Sequence, residues 1–463
     1  MSASGGSGGR PRVALLSPYW SFFADAVEGL AADRERLLGE LAESLASVVD
    51  VVVARTVEPE SSPATVVAAV VAARVDAVVV ACTMASPPST VAEILEHLRP
   101  TPVVVWAARR HGRLSASYTH AEIARDGATV GTPQLTSLLV RTDRKFDLVD
   151  GALDDSAAMP RVRGAAGAAT AAGRIRRARI GRVGRPLPGY ACVDADENRL
   201  TEALGVEVVT LTAQDFLDRY ESASDNVVTS TVDAMSANYA FPDDTDGVRR
   251  SVRAAIALQE LVADHRLDAG AFNCHVPEIR LGTRIGFAPC LALGHCTSSG
   301  VPWTCTGDVL TSVAMLTAKA LTGASLYHEL ETYDASSGEF VVANSGEHDL
   351  AVVDGPANVG PNPWWRGMCA TTSPRAGPAT LIGFAQLDDG HRFIAAPGEL
   401  TGRRFDQTGT SNGAFRFASA PASEAWTAWC LAGANHHGAL TPHLVANQVA
   451  RVAAHLGQDA VVV

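Results

Sequence analysis

Short runs of consecutive apolar residues alternate, in the first half of the chain, with longer stretches in which apolar positions recur every three or four residues. Residues 13–17 form an apolar run of buried-strand length, 23–45 carry a helical period, and 49–54 form a second apolar run. The order repeats as helix 62–73, strand 77–81, helix 90–98 and strand 103–106. Arg74 and Asp76 divide the Ala/Val-rich stretch 65–80 into a helix followed by a buried strand. Strand and helix alternating in this way predict a parallel sheet covered on both faces. Ligands of such sheets sit at the carboxyl ends of the strands, where Cys82-Thr83-Met84-Ala85-Ser86 follows the third strand.

The Ala/Gly/Arg-rich interval 165–179 reads as a helix or linker before a new unit. That unit opens with a strand at 180–184 and continues with a strand at 206–211, a helix at 248–265 and a strand at 270–272. Gly181, Gly184 and Gly189 invite a nucleotide-binding reading, but Pro186 and Pro188 interrupt the helix that a phosphate turn opens. From about residue 326 the pattern turns to short strands at 340–343, 379–384 and 391–395, with a helical end at 442–456. The expected fold is α/β, with two doubly wound parallel-sheet domains followed by a mainly β C-terminal domain. The expected boundaries are a disordered Gly/Ser tail at 1–10, an N-terminal domain at 11–170, a central domain at 171–325 and a C-terminal domain at 326–463. A chain of 463 residues exceeds what one core supports, which agrees with that division.

Composition narrows the function. The formal charge of -12, from 38 Lys+Arg against 50 Asp+Glu, gives no footprint for nucleic acid or an anionic membrane. The Arg cluster Arg174, Arg176, Arg177 and Arg179 is short and reads as a solvated linker. Eight scattered cysteines without a Cys-x-x-Cys pair argue against a disulfide scaffold or a zinc ribbon, and a reducing cytoplasm suits them. The first ten residues lack the basic start and apolar core of a signal peptide, and no apolar run reaches the ~20 residues that span a bilayer.

Chemistry-bearing residues concentrate in the second half. Thr304-Cys305-Thr306-Gly307-Asp308 is followed by Glu329, His348 and the pair His436-His437. Acids and imidazoles spaced tens of residues apart are what a fold uses to assemble one divalent metal site from several elements. Each also has a plainer reading. Asp308 suits the N-cap of a helix at 309–321 as well as a catalytic role. His348, between Glu347 and Asp349, suits a surface turn, and His436-His437 suits a helix start. His275 and His295 read as structural residues lining a cleft.

Several motifs in order carry a family resemblance. They are Asn273-Cys274-His275-Val276-Pro277-Glu278-Ile279-Arg280, Ala288-Pro289-Cys290 through Gly294, Ser299-Gly300-Val301-Pro302-Trp303-Thr304-Cys305 and Gly307-Asp308. They continue through Glu329 to Asp334, Asn344-Ser345-Gly346-Glu347-His348 and Ala434-Asn435-His436-His437. In this order the chain resembles the L-fucose and L-arabinose isomerase superfamily, and 16–20 and 86–91 suit the N-terminal domain of its arabinose-isomerase-like members. The resemblance implies a homotrimer or homohexamer with sites at subunit interfaces, and a sugar-like substrate. It also implies a manganese-type ion and aldose–ketose interconversion through an enediol. Glu329, His348 and His437 match the metal positions, and His436 is expected to face elsewhere. Glu329, Asp308 and Glu331 are the catalytic candidates. Glu331 competes with Glu329 because residues i and i+2 of a strand share a face. Glu329 is preferred because with Asp334 it reproduces the family's Glu-x-x-x-x-Asp pattern.

One departure stands out. Where the family carries its first metal-site glutamate, this chain has Thr306, whose hydroxyl stays protonated and is no base unaided. Either Asp308, Glu331 or Glu347 substitutes, or the reaction differs. The alternatives are an epimerase or lyase acting on a sugar or polyol, and a non-catalytic sugar-binding homologue.

Overall fold

A computed structural model describes residues 10–116, 118–186 and 188–463. The expected disordered tail lies, apart from Arg10, outside the described residues. The chain forms two compact units, Gly9–Arg174 and Ile175–Val463.

The first unit is built on five parallel strands: β1 Arg12–Pro18, β2 Asp50–Val57, β3 Ala77–Cys82, β4 Val103–Arg109 and β5 Asp147–Ala152, in the order β2-β1-β3-β4-β5. Successive residues of the inner strands feed opposite cores. Val13, Leu15, Val79 and Trp106 pack with Leu37, Leu38 and Leu41 of the helix Leu30–Leu45. Ala14, Leu16, Val78, Val80 and Val105 pack on the other face with Val66, Ile94 and Leu135. That double burial is why these strands read as unbroken apolar runs instead of alternating ones. The first helix starts at Leu30 and not near residue 23, because Gly29 holds a left-handed φ of 71°. Ahead of it Trp20, Phe22 and Phe23 pack ring on ring around the short turn Ser21–Phe23.

The second unit begins with a parallel sheet of β6 Arg179–Val183 and β7 Glu207–Leu211. After the two-residue β8 Tyr239–Ala240 come β9 Ala269–Phe272 and β10 Trp303–Thr304, giving the order β10-β9-β6-β7. The next strands are β11 Leu326–Asp334, β12 Glu339–Ala343, β13 Ala357–Pro361, β14 Met368–Ala370, β15 Gly377–Leu387, β16 Gly390–Leu400, β17 Asn412–Phe417, β18 His437–Thr441 and β19 Asp459–Val462. Strands β15-β18-β11-β12-β17-β16 pair antiparallel, and β15 pairs again with β16, so these six strands close on themselves. Phe340, Leu381, Ile394, Phe415 and Leu440 contribute to its core. β19 adds parallel to β16, while β13, β14 and β8 form a separate small sheet. The architecture is α/β with two parallel sheets flanked by helices and a mainly β C-terminal region. Among the described residues no helix is long and apolar enough to cross a membrane.

Candidate active site and metal centre

The parallel sheet of the second unit changes direction at β6, whose two neighbours are β7 and β9. Open α/β sheets offer their ligand crevice at such a point, beyond the carboxyl ends of the strands. Here the Asn273 amide, just past β9, donates to the Arg185 carbonyl past β6, and a Cβ at Gly307 would lie 3.3–3.4 Å from Arg185, Pro186 and Asn273. The turn after β10 therefore fits this crevice because position 307 has no side chain. Thr306 and Gly307 both take left-handed backbone, with φ of 54° and 77°. For a β-branched residue this is strained, of the kind found at functional sites. The Thr306 hydroxyl is buried without a hydrogen-bond partner.

Asp308 follows, fully buried, and both readings open for it in the sequence are realised. Its Oδ1 accepts from the Thr311 backbone N–H at 2.8 Å and caps the helix Val309–Thr322. Its Oδ2 accepts from the Thr311 hydroxyl at 2.7 Å and from the Asn435 amide at 3.3 Å, and lies 2.8 Å from His437 Nδ1.

His437 comes from the barrel. It opens β18, directly opposite Glu329 on β11, and cross-strand partners are close enough for their side chains to meet. His437 Nε2 lies 3.3 Å from Glu329 Oε1, so one imidazole spans two acids. Burial would lower its pKa, but the bonds to Asp308 and Glu329 outweigh burial and raise it to about 9. Burial works against the Glu329 carboxylate too, yet His437 holds it below the ordinary glutamate range. Tyr327, two residues earlier on the same face, donates its hydroxyl to Glu329 at 3.4 Å, and its ring centre is 5.1 Å from that of His437. Tyr327 was not singled out in the sequence, although the strand period placed it beside Glu329.

His436 does not face away as expected. Glu329, His436 and His437 each offer a ligand atom, and these three atoms lie within 4.8 Å of one another. His436 precedes the strand, so strand alternation does not turn it to the opposite face. Its ring centre lies 3.8 Å from that of His437, and its Nδ1 is 2.7 Å from Asn435 Oδ1. An oxygen lies against each Nδ1, so an ion that displaces the proton shared by His437 Nε2 and Glu329 would find both Nε2 atoms as ligands, with outer acceptors orienting the rings. One carboxylate and two imidazoles suit a divalent transition-metal ion. The residues fit a metal.

The remaining predicted residues sit apart from that trio. Glu331 is the extra residue of a β-bulge: Leu330 pairs with Val342 and Thr332 with Val341, leaving Glu331 unpaired and exposed. The bulge breaks the i, i+2 rule on which its competition with Glu329 rested. His348 is buried, with Nδ1 3.0 Å from the Ser411 hydroxyl and Nε2 without a partner. Burial lowers its pKa to about 4, which keeps the imidazole neutral. It is no surface histidine: a Cβ at Gly294 would fall 2.4 Å from the His348 backbone nitrogen, so that glycine lets the helix Cys290–Ser298 meet the loop directly. Glu347 beside it is buried, and burial raises its pKa to about 7.

No protein-family model matches the chain. It is similar to the sulfoquinovose isomerases of Priestia aryabhattai and Priestia megaterium, in each case 24% identical over 339 residues that cover 69% of this chain and 70% of the relative. This similarity supports a sugar-isomerase relationship for the chain.

Proposed function

We propose that this chain is a divalent-metal-dependent isomerase that interconverts an aldose and a ketose through an enediol. The observation that carries the reading is the cross-strand pair Glu329–His437, anchored from behind by Asp308 and flanked by His436. A divalent ion bound there supplies Lewis acidity to adjacent carbonyl and hydroxyl oxygens of a sugar. Glu329 faces the open side, 36% exposed while His437 is 1% exposed, so it is the acid able to meet a substrate. In this reading Glu329 is both ion ligand and proton carrier, and His436 and His437 are imidazole ligands. Asp308 positions His437, since its Oδ1 is spent on the helix cap and its Oδ2 on His437, Thr311 and Asn435. Glu331, exposed on its bulge, is assigned to the substrate side. Partial burial of its carboxyl and the neighbouring Glu329 raise its pKa above the ordinary glutamate value.

Sulfoquinovose is the first substrate to test, because the two relatives are named for it. The protein, loaded with manganese, is incubated in D2O with sulfoquinovose and a panel of aldoses and followed by NMR. An isomerase working through an enediol produces ketose and exchanges deuterium at the carbon beside the carbonyl. Exchange and ketose formation are expected, and both should be lost in Glu329→Gln. Metal binding with neither ketose formation nor exchange on any sugar would sink the isomerase reading and favour a non-catalytic sugar-binding homologue.

A further inference from the structure

Glu347 is 2% exposed; no charged group or hydroxyl bonds its carboxylate oxygens, and its polar neighbours are the Cys305 thiol and the backbone of residues 345 and 347. A buried carboxyl with only such weak partners is destabilising unless a cation meets it. Its loop is held firmly: the Asn344 amide donates to the carbonyls of Tyr327 at 2.9 Å and Glu347 at 3.1 Å, tying the loop to the strand that carries Glu329. The carboxyl lies against Cys305, the residue before Thr306, and is within electrostatic reach of Glu329. The Tyr327 phenol, pushed up chiefly by burial, also feels Glu329, Cys305, Glu347 and Asp308, so all four lie within electrostatic reach of it. Two more orphaned polar atoms lie next to Glu347 or Cys305 in the chain, the Nε2 of His348 and the hydroxyl of Thr306.

We propose that Glu347 is the second acid of this metal centre, supplying from the loop between β12 and β13 the carboxylate that position 306 lacks. The inference rests on the metal-centre reading above. Glu347 is not among the three residues whose donor atoms lie within 4.8 Å, so it would act on the ion as a buried charge from outside that trio. The trio offers a single carboxylate, so a divalent ion held there keeps a net positive charge that a second buried acid would offset. Asp308 is already spent on His437 and the helix cap, and the buried Asp349 is paired with Lys319 at 2.6 Å.

Manganese titration by calorimetry, with free Mn2+ counted by electron paramagnetic resonance, tests this on the full chain. Wild type is compared with Glu347→Gln, Glu347→Met, His437→Ala and the double variant Thr306→Glu/Glu347→Gln. Gln and Met keep the volume of Glu347 and remove an unpaired buried acid, so at least one is expected to fold with an unchanged circular dichroism spectrum. Loss of the acid should weaken manganese binding tenfold or more, and the carboxylate returned at position 306 should restore part of it. Wild-type affinity in a folded Glu347 variant, with binding lost in His437→Ala, would overturn this inference and leave the metal centre standing. A wild-type chain that binds no divalent ion would overturn both.

Discussion

His437 has an acid on each nitrogen, and that is the unusual fact at the scale of single residues. Its folded pKa of about 9 lies above the ordinary 6.5, so folding binds a proton that the unfolded chain gives up more readily. The stabilisation is complete below pH 6.5 and is lost as pH rises through about 9. Thermal unfolding of the metal-free protein should therefore show a falling melting temperature across that window. Asp308→Asn keeps a good helix cap but removes the charge behind Nδ1, so it should flatten the fall. An unchanged slope in the variant would mean that Asp308 does not hold the proton on His437. Residue types and spacing were legible here, but the pairing was not. Nothing in Asp308 alone says that one of its oxygens caps while the other reaches a histidine far along the chain. Nor does the sequence say that His436 lies just outside a strand, where alternation no longer applies.

Elements were legible where their periodicity was clean. The inner strands of the first sheet and the helix after Asp308 are apolar enough to read directly, whereas β5 is diluted by Asp147 and Asp150 and gave no signal. β18 is five residues long with no alternation, and only the helix after it, Ala446–Leu456, was readable. That strand carries His437, so the register that creates the site was hidden even though its residues were not. The bulge at Glu331 was hidden for the same reason, since a one-residue insertion in pairing leaves no mark on composition. It has a measurable consequence. Glu329→Gln should weaken manganese binding about tenfold or more, and Glu331→Gln should change it by less than about threefold, a difference of at least about 0.7 kcal/mol. Equal losses from the two variants, measured by calorimetry, would place Glu331 among the ligands and sink the bulge argument.

At the scale of the whole molecule, the α/β architecture with its mainly β end followed from the change of pattern near residue 326. Assembly is the property that pattern leaves open. The family resemblance in the motifs implies a closed homo-oligomer, and one surface feature of the first unit agrees with it. Phe22 is 68% exposed, although its ring is stacked 4.6 Å from that of Trp20 and packs edge-on against Phe23. A rigid aromatic cluster held up to solvent at the end of β1 is the kind of patch that protein contacts cover. Light scattering after size exclusion should accordingly report a particle of at least three 48.3 kDa chains. Phe22→Glu removes nothing from the core and puts a charge into the patch, so it should shift the particle toward smaller species without lowering the melting temperature of the subunit. If wild type elutes as a monomer with full activity, the assembly expectation fails and the cluster needs another partner. If Phe22→Glu leaves the oligomer whole, the interface lies elsewhere on the chain.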